Sequence, residues 1–268
     1  MKSSFSFGIM ALLSMLGCGG VGVSSAPTLT GNWVITAEIP NPAVLNASGG
    51  ITYTTINSWA YFSQSGASVS GIVASNLCSS ASATFPVSGT LQNNNLQIYP
   101  SGTAEPPLGA FSFLGIVSSD LASLQTGRMS LLRVCELPNY NPYYVPMTGQ
   151  QIPSVAGNWA GTLTSTSGPS TTISASLIES EPVTPGFPLL SGNVVFSGSP
   201  CFSTGAFAGT QFGPNVSGSI TTTNGTLVIP QFGGLESSLN SRNQLYVSYS
   251  VQGGTCNGDT EQGMLTLQ

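Results

Sequence analysis

Hydrophobic and polar residues alternate along much of this chain with a period of two. From Gln244 to Val251, Leu245, Val247, Tyr249 and Val251 fall on one side of an extended backbone, and Tyr246, Ser248 and Ser250 on the other. Thr172 to Leu177 repeats the pattern, with Ile173, Ala175 and Leu177 set between hydroxyl residues. Alternation of this kind turns one face to a core and one to water, the habit of antiparallel sheet. Turn formers punctuate the runs at Ser65-Gly66, Asn93-Asn94-Asn95 and Asn224-Gly225. Asn-Gly between two alternating stretches is a strong hairpin signal. The pattern predicts strands near 31–37, 52–64, 67–75, 83–91, 95–99, 110–118, 128–135 and 143–150, and a similar series from 157 to 267. The expected fold class is all-β: two tandem antiparallel β domains of 7–8 strands each, small up-and-down barrels or sandwiches. Both architectures satisfy the same alternation.

The two halves share landmarks. Gly31-Asn32-Trp33 returns as Gly157-Asn158-Trp159, 126 positions later. Ser70-Gly71-Ile72-Val73 returns as Ser191-Gly192-Asn193-Val194, offset 121. Cys78 and Cys135 match Cys201 and Cys256 at offsets of 123 and 121. Val87 to Leu91 is matched with Val216 to Ile220, and Leu96 to Ile98 with Leu227 to Ile229. This ordered series reads as a tandem duplication, with each Trp opening the first strand of its copy. Trp33 and Trp159 are expected to plug the end of each core. Four cysteines allow three pairings, and the repeat selects the two within halves, Cys78–Cys135 and Cys201–Cys256. These close loops of 57 and 55 positions.

Composition narrows function. Charged residues are 5% of the 268, the formal net charge is −5, and there is no histidine. Without histidine, Ser-His-Asp and Cys-His sites are excluded. Arg128, Arg133 and Arg242 are the basic residues beyond Lys2, so binding of nucleic acid through a basic face is not expected. There is no phosphate-loop signature and no Gly-x-Ser-x-Gly. Glu179 with Glu181, and Asp259 with Glu261, are spaced to share a strand face. They are expected to be solvent-facing charges at strand ends rather than a glycosidase pair. Asn257, Asp259 and Glu261 supply hard oxygen ligands but lack the EF-hand pattern. Neither a metal nor another cofactor is expected, and the chain is read as a non-enzyme.

The first residues read as an address. Lys2 precedes an apolar run over residues 5–16, too short for the about 20 residues a membrane-spanning helix needs. Met15-Leu16-Gly17-Cys18 then resembles a bacterial lipobox, although Met15 and Leu16 stand where that pattern prefers Leu and a small residue. The resemblance implies cleavage before Cys18 and acylation of its thiol, as in palmitate-bearing lipoproteins. Gly19 to Thr28 has the composition of a flexible tether. Gly19 stands where an inner-membrane retention signal places Asp, so an outer-membrane destination is expected. The domain reading is signal peptide 1–17, lipidated tether 18–28, first β domain 29–152 and second β domain 153–268. Export also permits disulfides.

Gly31-Asn32-Trp33 and Gly157-Asn158-Trp159, each opening an eight-strand meander, resemble the lipocalin pattern of Gly-x-Trp on the first strand. That resemblance implies an arginine late in the meander, packed on the tryptophan. Arg133 occupies such a position in the first copy, and the second copy has no basic residue after Arg242. The chain as a whole resembles uncharacterised bacterial surface lipoproteins.

Two aromatic groups remain. Trp59 and Tyr61 share a strand face and are expected in the core, with a pocket wall as the alternative. Tyr140, Tyr143 and Tyr144, in a Pro/Asn/Tyr-rich segment without counterpart in the second half, form the candidate recognition surface. Exposed tyrosine offers rigid amphipathic contact area. The expected role is non-catalytic: surface interaction with a protein or glycan, or else carriage of a small apolar ligand or lipid inside a barrel. The membrane is met through the lipid anchor.

Overall fold

A computed structural model describes residues 27–45, 51–76, 83–102, 105, 107, 109–131, 144–166, 168–182, 186–229, 237–241 and 243–268. Its architecture is two successive antiparallel barrels. The first comprises β1 (Gly31–Leu45), β2 (Ile51–Ser65), β3 (Ser68–Ser75), β4 (Ala83–Gln92), β5 (Asn95–Pro100), β6 (Phe111–Val117), β7 (Ser123–Leu131) and β8 (Tyr144–Ile152). Each strand pairs with the next, and β8 returns to β1, so the sheet closes. Closure removes the free edges that invite aggregation. This decides between barrel and sandwich.

The second barrel comprises β9 (Gly157–Ser165), β10 (Thr171–Ser180), β11 (Leu189–Ser197), β12 (Thr204–Phe212), β13 (Asn215–Thr222), β14 (Gly225–Ile229), β15 (Ser237–Ser241), β16 (Gln244–Gln252) and β17 (Thr260–Leu267). β12 pairs with β13 and β17 with β9, which closes this sheet too. β14 and β15 both lie between β13 and β16, at different heights. They are two pieces of one sixth strand, and residues 230–236 between them lie outside the described residues.

The topology sharpens the repeat. The tryptophans open β1 and β9, the Ser-Gly landmark sits on β3 and β11, and the cysteines follow β3, β7, β11 and β16 in matching places. Two landmarks are corrected. Val87–Leu91 is on β4, the fourth strand of its barrel, whereas Val216–Ile220 is on β13, a fifth strand. Leu96–Ile98 on β5 and Leu227–Ile229 on β14 are likewise one strand out of step. Hydroxyl–aliphatic alternation looks the same on any strand of a barrel, so these short matches had no means of choosing the right one.

The inward residues of each barrel pack on one another. In the first, Trp33, Phe62, Phe85, Phe111, Phe113 and Met129 belong to a cluster whose buried members are at most 3% exposed. Phe62 bridges Trp33 and Phe113, with ring centroids 6.0 Å from each. In the second, Trp159, Leu163, Phe196, Phe207, Tyr249 and Leu265 belong to the equivalent cluster. Outward positions on β3, β4, β5 and β10 are mostly exposed serine, threonine and glutamine. That polarity is the reverse of a lipid-facing barrel, which carries its apolar band outside.

The repeated tripeptide has a physical cause. Gly31 and Gly157 both have φ +142, a conformation that side chains rarely adopt. A Cβ on Gly31 would lie 2.8 Å from Gln151 Nε2, and one on Gly157 would lie 2.8 Å from Leu267 Cδ1. The backbone kink sends the preceding residues across the barrel mouth. Trp33 Nε1 donates to the Leu29 carbonyl at 2.9 Å, and Trp159 Nε1 to that of Val155 at 2.8 Å. Leu29 and Val155 are themselves fully buried. Each barrel is thus closed at its entry end by an aliphatic residue held to the tryptophan behind it. Arg133, the partner implied by the lipocalin resemblance, lies outside the described residues.

Candidate functional site

The register of the first barrel builds an ordered surface on the outside of β2 to β5. Ser63 pairs with Ser70, Ser70 with Ser88, and Ser88 with Tyr99. One step along the strands, Ser65 pairs with Ser68, Ser68 with Thr90, and Thr90 with Gln97. Two cross-strand rows of four polar side chains result, about 14 Å long and about 7 Å apart from strand spacing and rise. They line an open groove of about 550 Å³. Tyr99, 53% exposed, stands at one end of its row, and its hydroxyl meets Gln97 Oε1 at 3.5 Å. None of the side chains lining the groove is charged.

The groove continues the outer face of β2. Trp59, Tyr61, Ser63 and Ser65 alternate on that face, and the second barrel covers the first two. The Trp59 ring meets Phe212 edge-on at 6.0 Å, and Phe212 meets Phe187 at 6.0 Å. At Gly213 a Cβ would sit 2.1 Å from Trp59 Cδ1, so the turn after β12 needs its glycine for this approach. Tyr61 is 3% exposed. Burial, and then the nearby carboxylates of Glu181 and Glu179, push its hydroxyl pKa up to about 12. Trp59 and Tyr61 therefore belong to the joint between barrels; neither is part of the core cluster of the first, contrary to expectation. Asn32, in register with Tyr61, is also buried, and its Oδ1 has no hydrogen-bond partner among the described residues.

The predicted recognition segment is only partly described: Tyr140 and Tyr143 lie outside the described residues, as do Cys18, Cys78 and Cys135. Tyr144 opens β8 at 68% exposure, with the Arg128 guanidinium 5.2 Å from its ring centroid, a cation–π geometry. Cys201 and Cys256 are bonded, with Cα atoms 6.3 Å apart, at the end of the second barrel away from Trp159.

The acidic residues separate on inspection. Glu181 is exposed and Glu179 accepts a hydrogen bond from Ser154 Oγ. Glu261 corrects the expectation of a solvent-facing charge, being only 6% exposed. Tyr249 Oη donates to its Oε2 at 2.8 Å, and Thr171 Oγ1 to its Oε1 at 3.3 Å. In the register of the first barrel the matching position on β8 is Val145. Asn257 Oδ1 is occupied by the Gly253 amide at 2.8 Å. Among the described residues no three His, Cys, Asp or Glu side chains gather as metal ligands would.

Burial raises the Glu261 pKa, the two hydroxyl donors oppose the rise, and Asp259 adds to it. A carboxyl whose folded pKa is raised binds its proton more tightly in the native state. Its contribution is therefore fully present below the ordinary carboxylate pKa and is lost as pH rises through the raised one. Thermal melts from pH 4 to pH 8 are expected to show the second barrel weakening toward neutrality. Glu261→Gln keeps an acceptor for Tyr249 and removes the charge, so its melting temperature is expected to exceed wild type at pH 8 and to lose this slope. A wild-type profile that rises toward pH 8 refutes the assignment.

One pair of structural residues escaped the sequence reading. Gln64 Oε1 accepts from the Leu29 amide at 2.9 Å, and Gln211 Oε1 from the Val155 amide at 3.0 Å. Each glutamine also donates to the carbonyl two residues on, of Gly66 or Gly213. The same clamp is built from the second strand of one barrel and the fourth of the other. Gln-x-Gly at a hairpin end is its only sequence signal. Comparison of the chain with protein-family models, curated proteins and solved structures returned no match.

Proposed function

We propose that this chain is a lipid-anchored bacterial envelope protein whose role is non-catalytic surface interaction. The observation that carries the reading is the contrast between the inside and outside of the barrels. Among the described residues, the inward positions of β3 and β6 in the first barrel are all buried, as are Ile173, Ala175 and Leu177 of β10 in the second. Buried inward side chains packed on one another leave little room for a ligand among the described residues, which weighs against the carrier alternative. The outside carries uncharged polar rows, with Tyr99 and Tyr144 exposed. The lack of histidine and the engagement of the Glu261 carboxyl by Tyr249 and Thr171 support a non-enzymatic role.

The anchor rests on Met15 to Cys18 and the Gly/Ser-rich stretch after it. The matching positions of the cysteines in the two barrels support a Cys78–Cys135 bond as the counterpart of Cys201–Cys256. The Cys18→Ser variant tests the anchor. It is expected to leave the membrane fraction for the soluble one, whereas a variant that stays with the membrane removes lipidation from the account.

A further inference from the structure

We infer that the groove outside β2 to β5 is a binding site for a neutral carbohydrate. The inference rests on the surface-interaction reading and names the chemistry of the partner. Three observations carry it. First, the hydroxyls are uncommitted: Ser63, Ser65, Ser68, Ser70, Ser88 and Thr90 make no side-chain hydrogen bond among the described residues. A serine hydroxyl donates once and accepts twice, which matches the mixed donor and acceptor character of sugar hydroxyls. Second, the lining has no charge, so an anionic or cationic ligand would find no counter-ion to offset its desolvation. Third, Tyr99 stands half-exposed at the end of a row, an amphipathic face against which the apolar side of a pyranose ring can stack. The volume of about 550 Å³ falls within the usual range for ligand sites.

The second barrel supplies an internal control. Ile178, Ser191, Ala208 and Ser219 form the row in its corresponding place, and Ser180, Leu189, Thr210 and Ser217 the next. Ile178 and Leu189 are exposed there, at the counterparts of Ser63 and Ser68, and Ala208 replaces Ser88. The second copy keeps a hydroxyl at five of these eight positions, so it is the uninterrupted rows that belong to the first copy.

The test is calorimetric titration of the full chain with hexamers of glucose, of N-acetylglucosamine and of galacturonic acid. One of the two neutral hexamers is expected to bind, and the acidic one not. Tyr99→Ala and the double variant Ser70→Val/Ser88→Val are each expected to weaken binding about tenfold. Tyr99→Phe keeps the ring and is expected to bind nearly as wild type, and Ile178→Ser in the second barrel to change nothing. All these positions face solvent, where substitutions usually alter stability by no more than about 0.5 kcal/mol, and circular dichroism checks the fold. Binding that ignores both groove variants, or is confined to the acidic hexamer, overturns the inference. A further arm measures adhesion to whole cell envelopes. If neither neutral hexamer binds but the groove variants still lose adhesion, the carbohydrate assignment fails and the interaction role stands. If adhesion is also unchanged, both fail.

Discussion

Replacing Trp159 by alanine is expected to cost about 3–5 kcal/mol of the stability of the second barrel, the usual range for a large aromatic removed from a core. The cost has two sources. The indole is fully buried within its cluster, so its loss leaves a cavity among residues such as Leu163 and Leu265. Its Nε1 also holds the Val155 carbonyl, which is part of the closure of the barrel mouth. Trp33→Ala should act in the same way on the first barrel, through Leu29 and the Phe62–Phe113 stack. Urea unfolding followed by circular dichroism measures both. The expected signature is an early transition for the damaged barrel; a loss below about 1 kcal/mol in either variant would mean that the tryptophan is not the plug described.

The second large effect concerns Cys201–Cys256. Its sequence separation is 55, for which the chain-entropy model gives about 4 kcal/mol of stabilisation. The bond ties the β11–β12 connection to the β16–β17 connection, which lie on opposite sides of the barrel and meet across its mouth. It lies at the opposite end from Trp159, so each end of the barrel has its own closure. Cys201→Ser/Cys256→Ser is expected to lower the urea midpoint of the second barrel under oxidising conditions and to abolish its response to reductant. Equal midpoints with and without reductant in wild type would contradict this. Peptide mapping without reduction is expected to recover Cys78 linked to Cys135, and a cross-pairing between halves would undo the argument from the repeat.

Much of the fold was legible because a barrel with an apolar inside writes its alternation directly into the chain. The strands around Trp33, Val73, Phe85 and Ile98 fall where the alternation puts them. β7 was expected at 128–135 and runs from Ser123 to Leu131. The turn before it is made by Asp120, which accepts from Ser118 Oγ and the Ala122 amide, and by Leu121 at φ +57. An aliphatic residue in that conformation is no turn signal. β14 and β15 share the sixth place in the second barrel, which the alternation did not announce.

The candidate groove was not legible for a different reason. Period-two spacing says that Trp59, Tyr61, Ser63 and Ser65 share a face, but not which face. It cannot say that Ser70 lies beside Ser88, or that a second barrel covers Tyr61 and stops short of Ser63. Those facts belong to register and to the joint at Gly213. Glu261 was misread because a carboxylate at a strand end is ordinarily solvated. Its burial depends on Tyr249 and Thr171, which are distant in sequence and adjacent in the barrel.

The measurement that bears most directly on the proposed anchor and outer-face role is native mass spectrometry. The chain would be extracted from its own membrane and weighed before and after denaturation. The expected result is an acylated polypeptide beginning at Cys18, with the mass deficit of two disulfides and no apolar molecule shed on unfolding. An unacylated chain that carries an apolar molecule through the native spectrum and releases it on denaturation would contradict it.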